Sequence, residues 1–341
     1  MKFGLFVPQG WRLDLVDIDT KQHWETMLRI AQHADAGPWE SIWVYDHFHT
    51  TPVPTEEATH EAWSLMAAFA AATRRVRLGQ MCTCMAYRNP SYLAKVAATT
   101  DVISGGRVEM GIGAGWYEHE WRAYGFGFPR AGIRLAMLDE GVDIMRQAWT
   151  NGTATLAGEH YQVDGAICRP LPLQEDGIPL WIAGGGEKVT LRIAAKHARG
   201  AEYTGSRSYT THTNFSGTPE VFAHKSQVLA QHCLDLGTDY DSITRSMNFN
   251  VVIGANQAEV EAKLARIEEI LGRFMTPDVV AEKMRPYRDD NPTAGTPEQV
   301  AEAIGKFKAQ GMSYAIGYFP EAAYDLSGVE LFEKEVIPAL S

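Results

Sequence analysis

Short apolar runs, rich in β-branched and aromatic residues, alternate along this chain with longer segments whose apolar residues recur at helical spacing. Lys2–Pro8 is a brief apolar run closed by the turn signal Pro8-Gln9-Gly10. His23–Ala36 then sets Trp24, Met27, Leu28, Ala31 and Ala34 on one helical stripe. Ser41–Phe48 predicts a strand, Glu61–Thr73 an Ala-rich helix, and Arg77–Cys84 a third strand. Pro90–Ser104 predicts a helix opening on proline, where the missing N–H is harmless. Arg107–Gly115 is a strand running into glycines. Ile133–Trp149 is a long helix with Leu135, Leu138, Val142 and Met145 along one side.

The rhythm breaks at Thr153–Gln174, where Gly158, Gly165, Pro170 and Pro172 predict an inserted hairpin and loop. It resumes with a strand at Pro179–Ala183 and a helix at Glu187–His197. Gly200–Pro219 is rich in Ser, Thr, Tyr and Gly and reads as a surface insertion or a lid over the substrate side, with a short strand near Ala201–Thr204. Helices follow at Glu220–Leu236, Ala258–Leu271 and Pro297–Gln310, the last capped by Thr296. Strands are expected at Ser246–Gly254 and Tyr314–Pro320, and a last helix at Val329–Ile337. Nearly every strand is followed by a helix, which demands parallel strands with helical crossovers. About eight strands and no linker favour a closed (β/α)8 barrel over an open doubly wound sheet. The chain is expected to be one domain over 1–341, with insertions near 151–175, 200–219 and 272–296.

Composition narrows the function classes. Among 341 residues, Lys plus Arg is 31 and Asp plus Glu is 42, giving a net charge of −11. That excess argues against nucleic acid, whose binders need a basic footprint. It does not exclude a small anion held in an amide-lined pocket. No apolar stretch approaches the ~20 residues of a membrane span, and a cytoplasmic location is expected. The four cysteines are too few for a disulfide scaffold. Cys82 and Cys84 share one face of a strand and are expected to be small buried hydrophobes rather than metal ligands.

In a barrel, chemistry gathers at the C-terminal strand ends. Here those ends carry Asp46-His47-Phe48-His49, Met81-Cys82-Thr83-Cys84, Gly111-Ile112-Gly113-Ala114-Gly115-Trp116 and Gly184-Gly185-Gly186. Asp46 and His47 are either a proton-transfer pair or cofactor contacts, against the plainer reading of a helix cap and a packed imidazole. Gly184–Gly186 ahead of a helix offers backbone N–H groups to a phosphate. It lacks the Gly-Lys-Ser/Thr ending of a P-loop, and Gly111–Gly115 fails the dinucleotide fingerprint by spacing. Glu118-His119-Glu120 has the composition of a metal site, but adjacent residues cannot all face one ion, so it reads as a loop near the site. No G-x-S-x-G elbow occurs. The aromatics Trp116, Tyr117, Trp121, Tyr124, Phe126 and Phe128 either wall a substrate pocket or pack helices on the barrel.

Several strings resemble the bacterial luciferase-like superfamily, and within it the branch using the deazaflavin coenzyme F420. They are Tyr45-Asp46-His47-Phe48, Tyr87-Arg88-Asn89-Pro90, Asp101-Val102-Ile103-Ser104-Gly105-Gly106-Arg107 and Gly111-Ile112-Gly113-Ala114-Gly115-Trp116. Trp181-Ile182-Ala183-Gly184-Gly185-Gly186-Glu187-Lys188 and Gly295-Thr296-Pro297-Glu298-Gln299-Val300 extend the likeness, as does Tyr318-Phe319-Pro320. The resemblance implies a barrel with insertions, a homodimer, and a deazaflavin passing a hydride to or from a small organic substrate; flavin mononucleotide is the alternative cofactor. It implies that Asp46 and His47 lie beside the ring, with His47 a proton donor. It places a non-proline cis peptide at Met81–Cys82, with Cys84 near the ring. Ala114, Gly115 and His119 would follow the cofactor. Gly184, Gly185, Gly186, Lys188 and Val189 would hold its phosphate, with Arg12 or Arg88 as further cations. The sugar-phosphate dehydrogenases of this branch carry a glutamate where this chain has Trp116. That departure favours reduction of an activated C=C or C=O on a hydrophobic substrate, with Trp116 and Trp121 in its pocket. A non-catalytic cofactor binder is the competing class, separable by whether a cavity opens on the reactive side.

Overall fold

The computed structural model describes residues 1–198, 211–215, 217–288 and 293–341. Its strands are β1 (Lys2–Phe6), β2 (Ser41–Val44), β3 (Arg77–Gln80), β4 (Thr83–Cys84), β5 (Val108–Gly113), β6 (Thr153–Ala157), β7 (Gln162–Ile167), β8 (Leu180–Ala183), β9 (Thr211–Phe215), β10 (Thr244–Asn250), β11 (Val252–Ile253), β12 (Ala294–Gly295) and β13 (Tyr314–Tyr318). The main sheet runs β3-β2-β1-β13-β10-β9-β8-β5-β4 and is parallel throughout. Leu78 and Gly79 of β3 also pair with Val108 and Glu109 of β5, so the sheet closes on itself. Because β4 continues the third strand after a break at Met81–Cys82, nine segments make the eight staves expected from the sequence.

The helices crossing between staves are α1 (Thr20–Ala36), α2 (Ala62–Ala72), α3 (Pro90–Ser104), α4 (Glu118–Ala123), α5 (Ala131–Asn151), α6 (Thr190–Lys196), α7 (Pro219–Leu236), α8 (Gln257–Gly272), α9 (Pro277–Arg288) and α10 (Pro297–Ala309). A helical tail, Ser327–Leu340, with a π turn at Phe332–Val336, ends the chain. Local chemistry sets several ends. Glu61 accepts from the Trp63 and Ser64 amides to start α2, and Asn89 caps α3 ahead of Pro90. α3 stops at Gly105, whose φ of 74° suits a residue without Cβ.

Two differences from the expected elements bear on the site. The sixth barrel strand is β9, inside the span expected to be inserted, while Ala201–Thr204 lies outside the described residues. The polar Thr and Asn of β9 carry no apolar run, so the strand is invisible to a hydrophobicity reading. α6 begins at Thr190 rather than Glu187, leaving 187–189 as a turn. Within 151–175, β6 and β7 form an antiparallel hairpin, and within 272–296 lie α9 and β12, the latter paired with β11.

The barrel is filled, not hollow. Trp43 and Trp181 meet edge-on inside it with ring centroids 4.7 Å apart, among Phe6, Tyr314, Ile316 and Tyr318. Trp181 donates from Nε1 to Glu109 at 2.6 Å, and Tyr314 bonds Ser41 at 2.7 Å. Glycine makes this layer possible: a Cβ at Gly79 would collide with the Trp43 ring. A Gly79→Ala variant is therefore expected to lose about 1–3 kcal/mol through overpacking, read as a lower denaturation midpoint. An unchanged midpoint would mean that Trp43 has room to shift. These side chains fill the lower barrel, and the cavity that holds the sequence-predicted residues lies above them, at the C-terminal end.

Candidate active site

The residues that follow β2 divide the labour at the strand end. Asp46 is buried and its carboxylate is saturated: it accepts from the Cys84 amide at 2.9 Å and from Arg88 at 2.7 and 2.9 Å. Arg88 also reaches Glu61 at 2.7 Å. The expected proton-transfer pair therefore separates, with Asp46 anchoring the ends of the second and third strands. His47 faces the cavity instead. Its Nδ1 lies 2.9 Å from Glu120 Oε2, and its ring stacks on Trp11 with centroids 4.2 Å apart and planes 1° from parallel.

Glu120, on α4, is the residue that sequence reasoning missed. It is completely buried and also accepts from the amides of Phe48 and His49, at 2.8 and 2.9 Å, and from the Tyr87 hydroxyl at 3.0 Å. Burial alone would push its carboxyl up, but the His47 hydrogen bond and charge, with the two amides, outweigh that and hold it below the usual carboxylate range. An ionised Glu120 requires a proton on His47 Nδ1, which leaves Nε2 as the nitrogen that takes or gives a proton. The only trace of this in the sequence is Glu118-His119-Glu120 itself. Its three side chains part: Glu118 pairs with Arg122, His119 meets His49 at 3.0 Å, and Glu120 turns inward.

The peptide Met81–Cys82 is cis. Burial, then the Asp46 charge, pushes the Cys82 thiol up to about 12, and the same two causes lead in raising Cys84. Both stay protonated at neutral pH and behave as small apolar groups. Gly113 keeps space beside them, since a Cβ there would stand 2.8 Å from Cys82 Sγ. Gly115 adopts a φ of 76°, with Cys84 and the Trp121 indole where a side chain would go.

These residues line one cavity of about 450 Å³, within the range of small-molecule sites. Asp46, His47, Met81, Cys82, Cys84, Ala114, Gly115, Trp116 and Gly184–Gly186 all contribute to it, as sequence placed them. Trp11, Arg12 and Tyr87 join them. Lys188 and Val189 do not; they lie exposed on the turn before α6. The cation beside the glycine run is Lys225 on α7, half-buried, whose Nζ occupies the space a Gly185 Cβ would need. His119 is outside the lining as well. Trp121 is corrected too: it is buried, packed against Tyr87 and Phe128, and lines neither this cavity nor its neighbour.

That neighbour, of about 420 Å³, shares Trp11, Arg12 and Trp116 with the first, so the two adjoin. Its far wall comes from α8 and α9, including Ile267, Leu271 and Lys283. Trp116, 59% exposed, stands at the junction.

A parallel sheet closed on itself, with a glycine-lined cavity and a second cavity beside it at the C-terminal strand ends, defines a (β/α)8 barrel whose candidate site lies at the face where such barrels carry theirs. The chain belongs to the luciferase-like monooxygenase family, whose model matches residues 1–314. An F420-dependent glucose-6-phosphate dehydrogenase of Amycolatopsis mediterranei (strain U-32) is 32% identical over 176 residues, 50% of each chain. The chain thus spans about half the length of that relative. The monooxygenase RslO1 from Streptomyces bottropensis superposes with a TM-score of 0.80 at 21% identity, over 100% of both chains. An F420-dependent secondary alcohol dehydrogenase, solved in complex with an F420-acetone adduct, does so with a TM-score of 0.75 at 21% identity, over 100% of this chain and 99% of that one. Both structures share the fold. Among the described residues no helix is long and apolar enough to cross a membrane.

Proposed function

We propose that this chain is an F420-dependent oxidoreductase, a single barrel domain acting in the cytoplasm on a small organic molecule. The observation that carries the reading is the His47–Glu120 pair, with His47 in the wall of a cavity that fits a planar ring and its phosphate. The glycines support that fit. Gly113 and Gly115 let Cys82, Cys84 and Trp121 pack close beneath the cavity floor, and Gly184–Gly186 stands beside Lys225 with its backbone amides available to a phosphate. When bound, a deazaflavin supplies a two-electron hydride donor or acceptor.

This chain's own residues then do the rest. Gly184, Gly185, Gly186 and Lys225 hold the phosphate, with Lys225 in the role expected of Lys188. Met81, Cys82, Cys84 and Ala114 form an apolar bed for the ring. His47, oriented by Glu120, gives a proton from Nε2 to a carbonyl oxygen or carbon. Trp116 keeps water from the junction, which suits reduction of an activated C=C or C=O. The adjoining open cavity favours turnover over simple storage, because Tyr117 and Trp121 are buried and Tyr124, Phe126 and Phe128 line neither cavity, which leaves that side unfilled. The flavin mononucleotide monooxygenase remains the second reading, favoured by the likeness to RslO1. Exposed Tyr92 and Ile103 on α3, with Ile167 and Leu173 near the hairpin, are apolar surface that a homodimer would cover.

Titration of the purified chain with both cofactors tests the reading. F420 is expected to bind at least about tenfold tighter than flavin mononucleotide, ~1.4 kcal/mol. Tighter flavin binding with oxygen consumption would replace this reading with the second. A His47→Ala variant is expected to lose roughly 10²–10⁴-fold in turnover while still binding cofactor. Unchanged turnover would remove its proton role.

A further inference from the structure

We propose that Arg12 is a substrate-selecting residue and that the substrate carries a carboxylate on an apolar, planar body. Arg12 is a wall of both cavities and so stands where cofactor and substrate would meet. Its guanidinium is wrapped by rings, with its carbon 4.4 Å from the Tyr318 centroid, 5.0 Å from Trp11 and 5.2 Å from Tyr45. One Nη donates to Asn250 Oδ1 at 2.5 Å. A guanidinium has five N–H donors in a planar fork that matches two carboxylate oxygens.

The acid near it in sequence is already occupied. Asp14 accepts from the Gly10 amide at 2.7 Å and from the Tyr318 hydroxyl at 3.0 Å. Among the described residues, no carboxylate forms an ion pair with Arg12. Arg12 keeps its charge with help from Asp14, which acts through space without contacting it, so the guanidinium N–H groups not used on Asn250 are left to meet a ligand's carboxylate.

The outer cavity supplies a second cation, Lys283, whose pKa is depressed first by burial and then by the Arg12 charge. Among the described residues, Glu282 is the one acid that lines this cavity. The same cavity is lined by Trp11 and Trp116, which it shares with the cofactor cavity, and by Ile267 and Leu271 on its far wall. A flat apolar body lying on these residues, with its carboxylate on Arg12, would sit within reach of His47. The inference rests on the proposed oxidoreductase reading for its chemistry, but not for its anion preference.

The test compares trans-cinnamate with its uncharged isostere trans-cinnamamide by calorimetric titration, with F420 titrated in parallel. Cinnamate is expected to bind at least about tenfold tighter than the amide. Arg12→Gln is expected to erase that preference, Arg12→Lys to keep part of it, and Lys283→Ala to reduce it. Equal affinity for acid and amide, binding of neither, or a preference that survives Arg12→Gln would overturn the proposal. If Arg12→Gln does not fold, the wild-type ratio and its partial reduction in Arg12→Lys decide. An acid preference without F420 binding would sink the oxidoreductase reading and leave this one; F420 binding without the preference would do the reverse.

Discussion

Glu120→Ala is expected to be the most damaging single change at the site, costing about 3 kcal/mol or more in stability and roughly 10²-fold or more in turnover. Four donors lose their acceptor at once: His47, the amides of Phe48 and His49, and the Tyr87 hydroxyl. Because Glu120 is fully buried, water does not replace it. The catalytic loss follows from the imidazole, which no longer has a partner fixing its tautomer and plane. Glu120→Gln separates the two effects. It keeps the shape, but its NH₂ must face either backbone N–H groups or the imidazole, so turnover should fall further than stability. The pH dependence has a defined sign. The Glu120 carboxyl is held below its unfolded value of ~4.3, so its stabilisation is present above that pH and is lost as pH falls through the lower folded value. The wild type should therefore lose stability between about pH 5 and 3 more steeply than Glu120→Gln. Parallel acid profiles for the two proteins would contradict this assignment.

The second large effect is expected at Asp46, and it is structural. Asp46→Asn leaves Arg88 with Glu61 as its remaining carboxylate, and weakens the tie to the Cys84 amide. Breaking a buried pair in this one-sided way costs about 3–5 kcal/mol. Glu61 is partly exposed and recovers a fraction, so a loss near 3 kcal/mol is expected in chemical denaturation. Arg88→Met in the same chain should restore part of that loss, since no unpaired guanidinium is then buried. A loss within about 0.5 kcal/mol for Asp46→Asn alone would mean that the pair does not hold the strand ends together.

What could be seen in the sequence follows from range along the chain. Buried staves such as Ile42-Trp43-Val44 and Leu180-Trp181-Ile182 announce themselves as apolar runs, because both of their faces are covered. β9 does not, since four of its five residues are polar. At the site, strand-end residues were legible because a barrel puts strand ends on one face. Partners drawn from elsewhere were not. Glu120 reaches His47 from 73 positions away, and Lys225 reaches Gly185 from α7, while Lys188, two residues after the last glycine, lies exposed on a turn. Trp11 and Arg12 sit in a connection with no periodicity to read, so Arg12 entered only as a cation for the cofactor and Trp11 not at all. The two tryptophans of the aromatic cluster show the same limit. Trp116 precedes α4 and stays at the cavity, whereas Trp121, inside α4, turns to the core. A list of aromatic residues does not carry that rotation; the start of the helix does.

The parallel stack of Trp11 on His47 has an optical consequence. An imidazolium in van der Waals contact with an indole quenches its fluorescence more strongly than a neutral imidazole does. Trp11 thus reports the charge of the proposed proton donor without any label. It is one of nine tryptophans, so the signal is the difference between wild type and Trp11→Phe. Followed against pH, that difference spectrum would titrate His47 directly in the resting protein, and again with ligand in either cavity.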